Sequence, residues 1–174
     1  MQWSTIIEFG VGYGLVLSVL FTVAVFAGAA ASRDFLLNDY PPAVQARYGK
    51  PRSARGRRVA ACVGVFVWGV CGIPLMTSAM VGLGGALDGG LTFLSAAVCA
   101  GLIFATLSVY DLVVLDWIIL VGLRPRLLVL PGTEGMAEYG DMGFHLSAAL
   151  KGSPLIVVVG LVTGGIATLF VQVL

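Results

Sequence analysis

The segment EGMAEYGDMGFH, Glu134 to His145, holds three of the nine acidic residues and the only histidine of the chain. Glu134, Glu138, Asp141 and His145 follow one another at intervals of four, three and four. Wound as an α-helix, all four fall within an arc of about 60°. Three carboxylates and an imidazole on one stripe can converge on a divalent cation or handle protons as a cluster. The competing reading is a solvated helix face. Like-charged neighbours repel by a few tenths of a kcal/mol per pair, and the stripe has no basic residue before Lys151. A face that only meets water would mix in more of them. Glycines 135, 140 and 143 weaken such a helix by roughly 1 kcal/mol each against alanine.

Asp111 and Asp116 are the second candidates, within SVYDLVVLDWIILVG. A carboxylate inside an apolar run is costly and is a functional candidate by default. Five residues apart, the two lie about 140° apart on an α-helix, so they face one point only if the helix is disturbed. Arg124 or Arg126 would be the structural partner for Asp116. Asp111 has no local partner. If the segment carries a reaction, Asp111, Asp116 and His145 are the candidate catalytic groups. Arg52, Arg55, Arg57, Arg58, Arg124 and Arg126 are candidates for a phosphate or lipid headgroup.

Other chemistry is missing from the sequence. There is no P-loop, GxSxG or HExxH pattern, and one histidine rules out paired-histidine haem or di-iron sites. Cys62, Cys71 and Cys99 lie in apolar runs without a CxxC pair and read as small buried hydrophobes. No cofactor is specified, and a divalent metal is the one that the acidic stripe would accept.

Elements must position these groups, and composition says in what solvent. Of 174 residues, 59% are hydrophobic and 11% charged, against about 25% charged in soluble domains. The chain reads as a single all-α membrane domain, 1–174. Four segments reach the roughly 20 apolar residues a span needs, near 5–32, 59–83, 91–115 and 153–174. The third run stays apolar to Leu123, and its 33 residues would reach about 50 Å as a helix against a hydrocarbon core of about 30 Å. Its last third, with both aspartates, should leave the bilayer or lie along its surface. No basic residue precedes the first run, which reads as a retained span rather than a cleaved signal.

All ten Lys and Arg fall in 33–58 and 124–152. The positive-inside rule predicts that both loops are cytoplasmic and both termini outside, in a plasma (inner) membrane. Pro41 and Pro42 can start a short helix in the first loop, ended by Gly49 and Pro51. In the second loop Thr133 is a fair N-cap for an amphipathic helix, with Met136, Tyr139, Met142, Leu146 and Leu150 on its apolar side. In the second span, Pro74 predicts a kink. Gly10 with Gly14 and Gly160 with Gly164 form small-xxx-small pairs, which serve either packing within the bundle or a dimer face.

Partners follow from this: membrane lipids with anionic headgroups, and a second copy or a larger membrane complex. Nucleic acid is not expected, because the basic loop lacks interleaved aromatics. The leading expectation is a component of a membrane assembly, with a transport role as the close variant. The spans carry few polar groups, among them Ser18, Thr22, Thr77, Ser78 and Thr106, so no hydrophilic pore is visible. The alternative is a membrane-embedded enzyme acting on a lipid-like substrate. What separates them is whether the loop after the third span folds back and brings Asp111 or Asp116 to His145.

Overall fold

A computed structural model describes residues 2–173, with side chains described to Leu169; Leu174, the last residue of the expected fourth span, lies outside the described residues. Helices make up the framework, with no strand among the described residues. Helix α1 is Trp3–Ala31, α2 is Pro42–Tyr48, α3 is Ala54–Ala86, α4 is Phe93–Leu123, α5 is Met142–Gly152 and α6 is Pro154–Val173. Four helices are long and apolar enough to cross a membrane: α1, α3, α4 and the near-continuous run from Met142 to Leu169. Helices dominate because a spanning backbone must satisfy its own N–H and C=O groups.

The central helix is α4. Its two long partners are α1 and α6, and α3 packs mainly on α1. The faces turned away from these contacts are apolar, with Val65, Val70, Ile73, Val81, Val157 and Leu161 all exposed, as lipid requires. Local chemistry sets the helix starts. Ser53 accepts the Gly56 amide at 2.9 Å at the start of α3. Thr92 and Ser95 form a reciprocal capping box at the start of α4. Pro42 opens α2, and Gly49 closes it in the left-handed conformation, φ 67°. The polar groups within α1 bond back to the preceding turn, Ser18 to the Gly14 carbonyl and Thr22 to that of Ser18.

Both small-xxx-small pairs are consumed inside the bundle. A Cβ on Gly10 would stand 2.5 Å from Leu102 Cβ, and one on Gly160 would stand 2.7 Å from the Ala97 carbonyl oxygen. These glycines bring α1 and α6 against α4, so they are not an open dimer face.

Two segments widen from α to π winding, with N–H to C=O bonds over five residues: Val65–Gly72 in α3 and Asp111–Leu123 in α4. The first ends just before Pro74. Proline has no N–H, and its ring collides with the carbonyl four residues back. The wider winding absorbs that mismatch in place of a break.

The two long loops meet at one end and share a hydrophobic core, in which Phe35, Tyr40, Val44, Leu130 and Tyr139 are almost fully buried. Gln2 bonds Asp88 at 2.8 Å at the other end. Loop one is tied to the start of α3 by Asp34. Its carboxylate accepts from the Ser32 hydroxyl at 2.6 Å, the Ser53 amide at 2.6 Å and the Ser53 hydroxyl at 3.2 Å. Burial pushes its pKa up, but the hydrogen bonds together outweigh this and hold it below the usual carboxylate range.

Two outcomes test this packing. Gly160→Ala should lower the thermal midpoint in detergent, because its methyl meets backbone, at a cost of about 1–3 kcal/mol. Gly165→Ala, with nothing within 4 Å of the added Cβ, should not. Equal midpoints would overturn the α4–α6 approach. Asp34→Ala should cost about 2–3 kcal/mol at neutral pH, by loss of charge-assisted bonds and an amide left unpaired. A lowered folded pKa stabilises above the ordinary value and is lost as pH falls, so unfolding curves of the two proteins should converge below about pH 4.

Candidate functional site

The loop after α4 returns beneath that helix. His145 Nδ1 lies 3.2 Å from Asp116 Oδ2. The imidazole is 3% exposed, on α5 and packed against the π-wound end of α4. Asp141 caps α5, accepting the Phe144 amide at 2.9 Å, and so orients the first turn that carries His145. The Phe144 ring stands edge-on to the imidazole, at 5.4 Å between centroids.

Asp116 therefore pairs with His145 and not with Arg124 or Arg126. Nδ1 faces the carboxylate, and the tautomer with its proton there would leave the lone pair on Nε2. Nε2 is buried without a partner, an arrangement worth about 1–3 kcal/mol in lost hydrogen bonding.

Asp111 joins this group, contrary to its α-helical azimuth. An i→i+5 turn holds more residues than an α turn, so residues five apart return to the same side. Asp111, Asp116 and His145 consequently line one cavity of about 380 Å³, together with Asp39 and Tyr40 from loop one. Phe21, Val25, Leu115 and Leu120 supply apolar walls. Asp39 sits at the rim with part of its surface exposed. Packed protein around its carboxyl pushes the pKa up, Arg52 draws it down, and the negative Asp116 pushes it up again, for a net rise. Burial also raises the Tyr40 phenol, which donates to the Leu128 carbonyl at 2.6 Å.

The acidic stripe does not form. Residues 131–136 are turns, with Gly132 and Gly135 at φ 84° and 79°, and Ala137–Gly140 is a single 3₁₀ turn. Helix begins only at Met142. Thr133 is no N-cap. It is buried, bonded to the Leu130 carbonyl at 2.8 Å and to the Tyr139 hydroxyl at 2.7 Å. Three nearby glycines with this buried knot outweigh the helical spacing of the acids. Glu134 accepts the Gly132 amide at 2.8 Å, Glu138 is exposed and Asp141 is a cap. Among the described residues no three His, Cys, Asp or Glu side chains gather as metal ligands, so Glu134, Glu138, Asp141 and His145 are not a cation cage.

The arginines divide into two groups. Arg55 and Arg58 border an open groove between α1 and α3. Arg57 donates to the Arg52 carbonyl at 2.8 Å. Arg124 and Arg126 meet Arg33 in a second pocket, lined also by Tyr139, that shares no lining residue with the Asp116–His145 cavity. Of the cysteines, only Cys99 is buried, whereas Cys62 is exposed on α3. The contribution of Asp39 and Tyr40 was not legible in the sequence, because loop one reaches the site only through the fold. The NDYPP turn at residues 38–42 is its one local signal.

No protein-family model, curated protein or solved structure matches the chain.

The pair has a direct test, because His145 is the only imidazole. In ¹⁵N-histidine spectra of the neutral ring, Nδ1 should be protonated and Nε2 bare. Asp116→Asn, which can offer a donor in place of the acceptor, should move the ring toward the other tautomer. A tautomer indifferent to that substitution would overturn the pairing.

Proposed function

We propose that this protein performs acid–base chemistry on a lipid-like substrate from within the membrane, at its cytoplasmic leaflet. The observation that carries the reading is the Asp116–His145 contact, 3.2 Å long, with the imidazole almost fully buried and the Asp116 side chain 26% exposed. It is the juxtaposition that distinguishes an acid–base protein from a scaffold with its acids splayed into water. Orienting a histidine with a carboxylate on one nitrogen leaves the other to take a proton.

The chemistry assigned to the residues is specific. His145 Nε2, buried in this structure, accepts a proton from a substrate X–H group once side-chain movement opens it to the cavity. Asp116 holds the ring and stabilises the imidazolium. Asp39, whose pKa is raised, is suited to return a proton at the rim, and Asp111 adds a second carboxylate to the wall. A cavity of about 380 Å³ with apolar sides suits the end of an amphiphile rather than a sugar or nucleotide.

Orientation is part of the proposal. All ten basic residues lie in the two loops that build this end, which supports a cytoplasmic placement with both termini outside. The 33-residue α3 has little of its apolar surface covered by the rest of the chain. That supports a second reading, in which the protein works as a component of a membrane assembly and this face receives another subunit.

The test is lipid turnover. Wild type, Asp116→Asn and His145→Gln would be reconstituted into vesicles of total membrane lipid and followed by mass spectrometry. The expected result is a lipid species consumed by the wild type and at least about 100-fold more slowly by either variant, within the range general acid–base groups contribute. No turnover by folded wild type, or equal turnover by all three, would sink the enzymatic reading and leave the assembly component.

A further inference from the structure

We infer that Arg33, Arg124 and Arg126 form a binding site for a phosphate group, separate from the Asp116–His145 cavity. The three side chains line a pocket of about 540 Å³, with Val129, Tyr139 and Glu134 completing the wall. They come from two loops that are 91 residues apart in sequence at the nearest (Arg33 and Arg124), so the fold, not local sequence, collects them.

The guanidinium groups of Arg33 and Arg124 are held by carbonyl oxygens, not carboxylates, and that of Arg126 makes no hydrogen bond among the described residues. Arg33 Nη2 donates to the carbonyls of Arg126 and Val129, the latter at 3.0 Å. Arg124 donates through Nε to the Val121 carbonyl at 3.1 Å and through Nη1 to that of Met136 at 3.3 Å. Among the described residues none of the three forms a salt bridge, and Glu134 spends an oxygen on the Gly132 amide. A guanidinium has five N–H donors, so several remain after these bonds. Arg33 and Arg124 are fixed in direction by neutral partners, and three cations share one concavity with a single carboxylate, that of Glu134. That is the arrangement that a tetrahedral dianion satisfies with paired, charge-assisted bonds.

The backbone at Arg124 is an independent observation. It is the only non-glycine residue at positive φ among the described residues, φ 47° and ψ 56°. Glycine would sit there at no steric cost. Asparagine and aspartate are the usual exceptions, not arginine. Strain of this kind gathers at ligand sites, and Arg124, the residue that ends the π-wound segment, lines this pocket. The phosphate could belong to an anionic lipid headgroup or to a free phosphate ion. The inference does not depend on the acid–base reading, because no residue of that cavity is used.

The test is binding by the full chain in a zwitterionic detergent, measured calorimetrically with dihexanoyl phosphatidic acid, inorganic phosphate and dihexanoyl phosphatidylcholine. Saturable binding of phosphatidic acid at least about tenfold tighter than of inorganic phosphate supports a lipid headgroup. Comparable binding of the two supports a free phosphate. Arg126→Gln, whose side chain makes no hydrogen bond within the protein, should leave the thermal midpoint unchanged and weaken either ligand by about tenfold. Arg33→Gln should weaken it further, and Arg126→Gln decides alone if that variant does not fold. The inference is overturned if neither phosphate ligand saturates, if phosphatidylcholine binds equally, or if Arg126→Gln binds as the wild type does.

Discussion

The winding of Asp111–Leu123 is the constraint on which the loop end of this molecule depends. Bonding over five residues in place of four widens the helix and changes which side chains share a side. In an α-helix Asp111 and Asp116 would diverge, and one of them would face lipid or the α1 packing surface. In the wider helix both reach the cavity between α1, α5 and loop one. The same segment ends in the left-handed Arg124, whose amide still bonds five residues back, to Ile119, at 2.9 Å. The turn that follows throws the chain under the bundle, where α5 can carry His145 back to Asp116. One irregularity in hydrogen bonding therefore positions an acid pair, a basic residue and the reversal of the chain. Such irregular windings concentrate at functional sites.

A second dependence runs between the loops. Neither is long enough to build its own core, and each brings half of one. Tyr40 of the first loop and Tyr139 of the loop after α4 meet edge to face, 5.6 Å between ring centres. Tyr40 donates to the Leu128 carbonyl, and Tyr139 receives the Leu130 amide at 3.0 Å. These phenols satisfy backbone groups that would otherwise be buried without partners. Each tyrosine of the pair lines a different pocket: Tyr40 the one with Asp39, Asp111, Asp116 and His145, and Tyr139 the one with the three arginines and Glu134.

Within the bundle the physics is different. Lipid offers no hydrophobic drive for helix association, so contact depends on close approach. Glycines 10, 14, 160 and 164 allow it against α4, where even a methyl would collide. The result is an arrangement with α4 in the middle and an α3 whose apolar surface is largely left uncovered by the rest of the chain. Among the described residues, Ser18, Thr22, Thr77, Ser108 and Thr168 bond to carbonyls of their own helices, and Thr22 also meets the Tyr110 hydroxyl at 3.3 Å.

The sequence by itself determined the solvent and the count of spans. Long apolar runs have no other stable solution than helices across a bilayer, and that follows from composition without any knowledge of neighbours. It also confined every basic residue to two connections, and it determined the proline-started helix α2 closed by Gly49, because these signals are local. The acids were legible as unusual, but their arrangement was not. Spacing of four, three and four points to a helix between Glu134 and His145 only if nothing competes. Thr133 and Tyr139 found a better set of partners in a buried knot with Leu130, and glycines 132 and 135 made the required turns inexpensive. Likewise Asp116 found His145 across 29 residues instead of the arginines nearby. Tertiary structure decided these matters because hydrogen-bond partners and burial are properties of the assembled loops, and a periodicity argument sees one helix at a time.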